Sequence, residues 1–289
     1  MASPGFWIFL SLPFVLIGQL FLWRSQARRR WGTHPVTDAL LRPAGESLRT
    51  RIDVLDEKLS EELLLAVAIP LAFAGASLLS KAPRNTMTDV VVLVFALPIM
   101  GFFSRRLMTT IRELRNCRIG FHGERAAAEE LNQLMLRHCR VFHDVPVPGY
   151  KGNIDHVVVS RTGVYAIETK TRGKREVDGE ERHILRYNGR EITYPSGYRD
   201  TEALGQAQLQ AKKLGQYLSE ATGDSVKVTP IVVLPGWYIQ DTSKRPDIPV
   251  RNPKGVRHVV LDPNKPRVDQ QLLRRVVYQL KRQCRDVTL

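Results

Sequence analysis

Two β-branched runs around a tight turn, with ionisable residues set against them, constrain the centre of any fold open to this chain. In Gly152-Asn153-Ile154-Asp155-His156-Val157-Val158-Val159-Ser160-Arg161-Thr162-Gly163-Val164-Tyr165-Ala166-Ile167-Glu168-Thr169-Lys170, Val157 to Val159 form the first run and Val164 to Ile167 the second. Arg161-Thr162-Gly163 supplies the turn, so the stretch reads as a hairpin. Glu168 and Lys170 are two apart and point to one face of a strand, and the hairpin can bring Asp155 alongside them. Two carboxylates and an amine beside apolar strands are costly to bury without a purpose. A divalent cation held by the carboxylates would supply one, and the ammonium could then serve an anionic substrate.

This pattern resembles the PD-(D/E)XK nuclease superfamily, with Asp155 as the Asp and Glu168-Thr169-Lys170 as the (D/E)XK element. Within that superfamily the sequence is most similar to the nuclease-related domain, NERD. That domain runs from a Gly-x-x-Gly-Glu helix start through a strand to an Ile-Asp-His strand and an Ile-Glu-x-Lys strand. Here the same order is met by Gly120-Phe121-His122-Gly123-Glu124, Val141-Phe142-His143-Asp144-Val145, Ile154-Asp155-His156 and Ile167-Glu168-Thr169-Lys170. The likeness covers about residues 118 to 240. It implies a restriction-endonuclease-like α/β sandwich, a central mixed sheet flanked by helices, preceded here by an α-helical membrane region.

Three apolar runs precede that domain. Phe6 to Trp23 is uncharged and is followed by Arg24 and Arg28 to Arg30; Leu63 to Ser80 and Val90 to Phe103 flank a short link, Lys81 to Asp89. The basic residues Arg105, Arg106, Arg112, Arg115 and Arg118 follow the third run, which contains Pro98. The arginines at both ends predict an N-terminus outside the cell, three crossings of the plasma (inner) membrane and a cytoplasmic domain after residue 118. Runs two and three as buried helices of a soluble domain are the alternative. The expected organisation is an anchor over 1–31, a basic cytoplasmic connection over 32–62, a membrane hairpin over 63–104, a juxtamembrane helix over 105–118, the nuclease-related domain over 119–240, and a closing strand and helix over 241–289.

Within the domain the apolar spacing predicts a helix over Gly123–Cys139, a strand over Arg140–Val145, short edge strands over Glu176–Tyr194, and a helix over Asp200–Leu218. A buried strand over Val226–Leu234, a Pro-rich loop, a strand over Val256–Leu261 and a helix over Val268–Cys284 follow. Cys117, Cys139 and Cys284 have no disulfide or zinc spacing and fit a reducing compartment.

Phosphodiester hydrolysis needs an activated water, charge neutralisation and help for the leaving oxygen, all of which a divalent metal can supply. Magnesium prefers few carboxylates and several waters, with manganese as a substitute. Asp155 and Glu168 are apt ligands, the Thr169 carbonyl could add a third, and Glu124 could reach the metal through water. Lys170 would orient the water or stabilise developing charge. By the resemblance, Gln206 is the Gln of the following helix, with Gln208 and Gln210 as neighbouring alternatives. Arg172, Lys174 and Arg175 stand beside the site for phosphate contact, or as a plain solvated cluster. Plainer readings stand beside these: an Asp155–Lys170 structural ion pair, Glu124 as a first-turn residue on the helix dipole, and His156 in a packing role on the opposite strand face.

The net charge of +14 over 289 residues calls for a polyanionic partner, nucleic acid or anionic lipid. The resulting expectation is a membrane-anchored, magnesium-dependent nuclease acting on DNA. A nucleic-acid-binding module without turnover and a membrane scaffold using the fold for protein contacts are the alternatives.

Overall fold

The computed structural model describes residues 39–79, 86–173, 183–243 and 246–287, besides the single position Gln19. In chain order the elements are β1 (Leu40–Leu41), α1 (Glu46–Leu79), α2 (Thr86–Asn132), a 3-10 turn (Gln133–Arg137), β2 (Arg140–Pro146), β3 (Asn153–Ser160) and β4 (Gly163–Thr169). Then come β5 (Ile184–Tyr187), β6 (Ile192–Thr193), β7 (Arg199–Asp200), α3 (Glu202–Thr222), β8 (Val228–Val233), β9 (Tyr238–Asp241) and β10 (Val250–Arg251). The chain closes with α4 (Val256–Val260), α5 (Gln270–Gln283) and β11 (Arg285–Val287). The fold is mixed α/β. By contacts the chain forms two units, residues 1–37 with 51–116, and residues 38–50 with 117–289.

The second unit is built on a five-stranded sheet in the order β10-β8-β4-β3-β2. β2, β3 and β4 are antiparallel neighbours, and β4, β8 and β10 are parallel, so the sheet is mixed. Strand alternation sorts its side chains into two cores. Val157, Val159, Val164 and Ala166 meet Ala211, Leu214 and Leu218 of α3 and Val276 and Leu280 of α5. Val158, Tyr165, Ile167, Ile231 and Val233 meet Ala127 and Leu131 of α2 and Val256 and Val260 of α4. Helices therefore cover both faces. Each fully buried Leu, Ile or Val contributes roughly 1.5–3 kcal/mol.

A four-stranded sheet, β7-β6-β5-β9, is not hydrogen-bonded to the first but shares a core with it, in which Leu185, Tyr187 and Ile192 meet Val232 and Val250. Of the edge strands expected over Glu176–Tyr194, residues 176–182 lie outside the described residues, and β5 and β6 pair with β9 and β7 instead of edging the main sheet. The expected strand at Val256–Leu261 is also corrected. Asn252 Oδ1 accepts from Gly255 N, Pro253 opens a 3-10 turn, and Val256 and Val260 then lie one helical turn apart with no exposed surface. The added parallel strand is β10, inside the segment read as a Pro-rich loop.

Residues 38–50 are held to the same unit by polar contacts. Asp144 sits in left-handed backbone, φ 48°, between the β2–β3 pairs His143↔His156 and Val145↔Ile154. Its buried carboxylate accepts from Arg42 Nη1 (2.8 Å), Ser47 N (3.1 Å), Ser47 Oγ (2.6 Å) and Asn153 Nδ2 (3.1 Å). Arg42 also grips Asp286 with two 2.7 Å bonds, and β1 pairs antiparallel with β11.

In the first unit the described stretches of α1 and α2 run antiparallel, with Arg51 paired to Glu113 and Arg106 Nε 2.7 Å from Glu62 Oε1. Leu55 and Leu114 are buried, whereas Leu63, Val67 and Leu71 of α1 and Val94, Leu97 and Phe102 of α2 are exposed. Among the described residues no helix is long and apolar enough to cross a membrane. The runs Leu63–Ser80 and Val90–Phe103 fall in α1 and α2. Ser80, the link over 81–85, the side chains of 73, 74, 76–79, 86–93, 95 and 96 and, save Gln19, the run Phe6–Trp23 lie outside the described residues.

Candidate active site

The β3–β4 ladder ends at His156↔Ile167. One step beyond, Asp155 and Glu168 would oppose each other on the face covered by α3. There a side chain replaces the ladder: Thr169 N donates to Asp155 Oδ2 across 2.6 Å. β4 stays in register with β8 through Thr169↔Val233, and Lys170 N donates to Val233 O at 2.9 Å. The strand end that carries Glu168-Thr169-Lys170 is therefore pinned from one side while Asp155 is pinned from the other.

Glu168, 3% exposed, has both carboxylate oxygens engaged. Lys170 Nζ lies 2.8 Å from Oε1, and Gln210 Nε2 donates to Oε2 at 2.6 Å. Lys170 Nζ also donates to Gln206 Oε1 at 2.7 Å. Gln206 and Gln210 are four apart on α3, so both project from one helix face, to Lys170 and Glu168, alternate residues on one face of the strand end. Gln206 thus meets the ammonium, whereas the carboxylate takes Gln210, of which no part is exposed.

Glu124 reaches the site from α2, and the preceding glycine sets how closely the helix approaches. A Cβ on Gly123 would sit 1.6 Å from Thr171 Oγ1 and 2.7 Å from Thr171 Cβ. Burial, then the charges of Asp144 and Glu168, push the Glu124 carboxyl up to about 8. Burial, then Glu168 and Glu124, hold Asp155 well above the usual carboxylate range, against the Thr169 amide and Lys170. Burial works against the Lys170 ammonium, but Glu168, Asp155 and Asp200 outweigh it and raise its pKa. Asp200 is a site neighbour that the sequence does not single out; its Oδ1 accepts from Ala203 N at the start of α3.

His156 lies on the other strand face with no exposed surface, and its Nδ1 is 2.9 Å from His143 Nδ1. His143 Nε2 is 3.0 Å from Asn132 Oδ1. With His143 donating to Asn132, His156 Nδ1 must donate to His143. Burial holds both rings neutral, His143 near 4 and His156 well below its ordinary value. Arg172 is exposed, with its guanidinium over the Tyr198 ring. Lys174 and Arg175 lie outside the described residues.

Among the described residues no three His, Cys, Asp or Glu side chains gather so as to hold a metal ion. The donors present nonetheless suit a cation that takes few protein ligands and keeps several waters, as magnesium does. Glu124 Oε2, Thr169 Oγ1, Thr171 Oγ1 and Gln210 Oε1 are buried without a partner among the described residues. Such atoms cost roughly 1–3 kcal/mol each unless water or an ion meets them. They surround carboxylates whose mutual repulsion one ammonium relieves only in part.

Set against known protein families, residues 119–235, less than half of the chain, match the nuclease-related domain, NERD. No curated protein and no solved structure matches the chain.

Proposed function

We propose that the nuclease-related domain of this chain is a working divalent-metal-dependent phosphodiesterase of restriction-endonuclease-like architecture, with DNA as its substrate. The observation that carries this reading is the pairing of Glu168 with the Lys170 ammonium at 2.8 Å, beside an Asp155 bonded to the Thr169 amide and amid buried polar atoms without partners among the described residues. Asp155 and Glu168 would hold Mg²⁺ or Mn²⁺, with the Thr169 carbonyl as a further donor and Glu124 joined through water. When bound, the cation supplies water activation and neutralises charge on the phosphodiester. Lys170, kept charged, stabilises the negative charge that develops on the scissile phosphate. Gln206 fixes the Lys170 side chain and Gln210 fixes Glu168, so neither reorganises as the reaction proceeds. Arg172, two residues beyond Lys170, would meet phosphates of a bound strand; Lys174 and Arg175, outside the described residues, are proposed for the same role from the sequence.

The domain is cytoplasmic and attached to the plasma membrane in this reading. The exposed apolar side chains of α1 and α2 and the arginines after residue 104 support that placement. Cysteine labelling at Asn85 from outside intact cells checks it; labelling only after lysis contradicts it.

The nuclease test is incubation of the full chain in detergent with labelled DNA and RNA, with and without Mg²⁺. Cleavage should require the metal and disappear in Asp155→Asn, a nearly isosteric change, with circular dichroism unaltered. A folded parent that binds nucleic acid but cleaves none in Mg²⁺ or Mn²⁺ overturns the reading in favour of a binding module.

A further inference from the structure

Arg172 follows Lys170 by two residues, so their Cα atoms are at most about 7 Å apart. Its guanidinium lies 3.7 Å from the centroid of the Tyr198 ring and 5.2 Å from that of Tyr194. Tyr194 is the fixed member: 4% exposed, it meets Trp237 edge-on at 5.5 Å. Tyr194 and Tyr198 bracket the tip between β6 and β7, closed by Tyr194 N donating to Tyr198 O at 2.9 Å. The next strand, β7, carries Asp200, whose charge acts on Lys170. Arg172 thus joins the tip to the strand end that carries Lys170.

The outer members of this stack face water. Tyr198 is 42% exposed and Arg172 is exposed, so the pair adds little to a core. A planar cation laid on an aromatic ring offers a flat surface for a nucleobase, while its N–H edge remains suited to phosphate. Bases inside continuous duplex present only their edges, so such a surface selects bases that are not paired. The net charge of +14 suits the same polyanion.

We infer that Tyr198 and Arg172 form a stacking platform for an unpaired nucleobase next to the scissile phosphate, which makes single-stranded or frayed nucleic acid the substrate class. This rests on the proposed nuclease function for its meaning, but its binding chemistry is tested separately. The full chain in detergent is titrated, in Ca²⁺, against three fluorescent probes of equal length: oligothymidylate, the same backbone without bases, and a duplex. The parent should bind oligothymidylate more tightly than the base-free backbone. Tyr198→Ala should weaken oligothymidylate binding by about tenfold or more and leave the other two nearly unchanged. Tyr198→Phe should restore the parental value, and Arg172→Lys, which keeps the charge, should lose the same base-dependent part. The platform is overturned if Tyr198→Ala weakens all three probes alike or none, if Tyr198→Phe is as weak as Tyr198→Ala, or if the parent does not distinguish the probes. The parent's cleavage in Mg²⁺ separates the two readings. Cleavage without a Tyr198 effect removes the platform alone, and a base-dependent Tyr198 effect without cleavage removes the nuclease reading alone.

Discussion

Gln210, wholly buried, donates from Nε2 to Glu168 Oε2 across 2.6 Å, and this bond closes the carboxylate on the side away from Lys170. Gln210→Leu should strip a charge-assisted bond and leave a buried carboxylate oxygen bare, costing about 1.5–3 kcal/mol of stability by urea unfolding. Cleavage should fall about tenfold or more with it. Gln208, exposed two positions earlier, is the control: Gln208→Leu should match the parent in both assays.

Gly123 is where α2 passes the strand end. A methyl group there meets both the hydroxyl and the Cβ of Thr171, so rotating the Thr171 side chain does not relieve the clash. Gly123→Ala should destabilise by about 1–3 kcal/mol and displace Glu124. Adding Thr171→Gly should recover part of the stability lost. A double variant equal to the sum of the two singles would show that the contact is not what Gly123 serves.

Lys170→Met keeps most of the apolar stem and removes the charge. Single-turnover cleavage at saturating enzyme should drop about a hundredfold or more, the scale of one well-placed electrostatic contact. Binding measured in Ca²⁺ should change far less, since one phosphate contact among many contributes modestly. Parental cleavage in this variant would reduce Lys170 to a structural partner of Glu168.

Glu124, at about 8 against an ordinary 4.5, keeps a proton in the folded chain that the unfolded chain has released. Asp155 is shifted the same way. The folded state therefore binds more protons across that window, and the stability these groups contribute is lost as pH rises through it. A bound cation favours the ionised forms and counters the loss. Saturating Mg²⁺ should raise Tm by about 5 °C at pH 8 and by little at pH 5, with EDTA as the reference. His143 and His156 act oppositely, weakening the fold as pH falls below about 6.5, so the comparison is made with and without Mg²⁺ at each pH. An increment that is the same at both values would detach the cation from these carboxyls.

Asp144 and Asp286 share Arg42 but differ in burial, with side chains 2% and 44% exposed. Asp144→Ala should cost about 3–5 kcal/mol, because a charge partner, a helix-start contact and a buried network go together. Asp286→Ala should cost about 1 kcal/mol or less. Equal losses in thermal unfolding would place the weight of the clasp on the exposed pair.

The hairpin was legible because its signals are local. Gly163 ends the turn where β4 starts, the spacing of two sets Glu168 and Lys170 on one face, and the hairpin register brings Asp155 beside Glu168. Gln206 was legible by its place on the following helix. The role of Gln210 was not, because helix rotation decides which glutamine reaches which atom, and that depends on packing against β4 and β8. Val256 to Leu261 misled because β-branched residues suit strands in isolation; the Asn252-Pro253 turn and burial one helical turn apart overrode that preference. The pairing of Arg42 with Asp286 and of β1 with β11 leaves no periodic trace in the sequence at all.

Arg42 and Asp286 are separated by 244 residues, and between Thr50 and Cys117 the chain leaves this unit altogether. On the ribosome, β1 must wait for β11, whose Asp286 is made 244 residues after Arg42. At about 5–20 residues per second that wait is on the order of ten to fifty seconds. Once residue 144 has emerged, for the later part of that wait, the Asp144 carboxylate can meet Ser47 and Arg42 while the pairing with Asp286 is still unmade. A nascent chain stalled before residue 285 would therefore display a formed β3–β4 hairpin with β1 unpaired, an opening that proteolysis of stalled ribosome complexes could time.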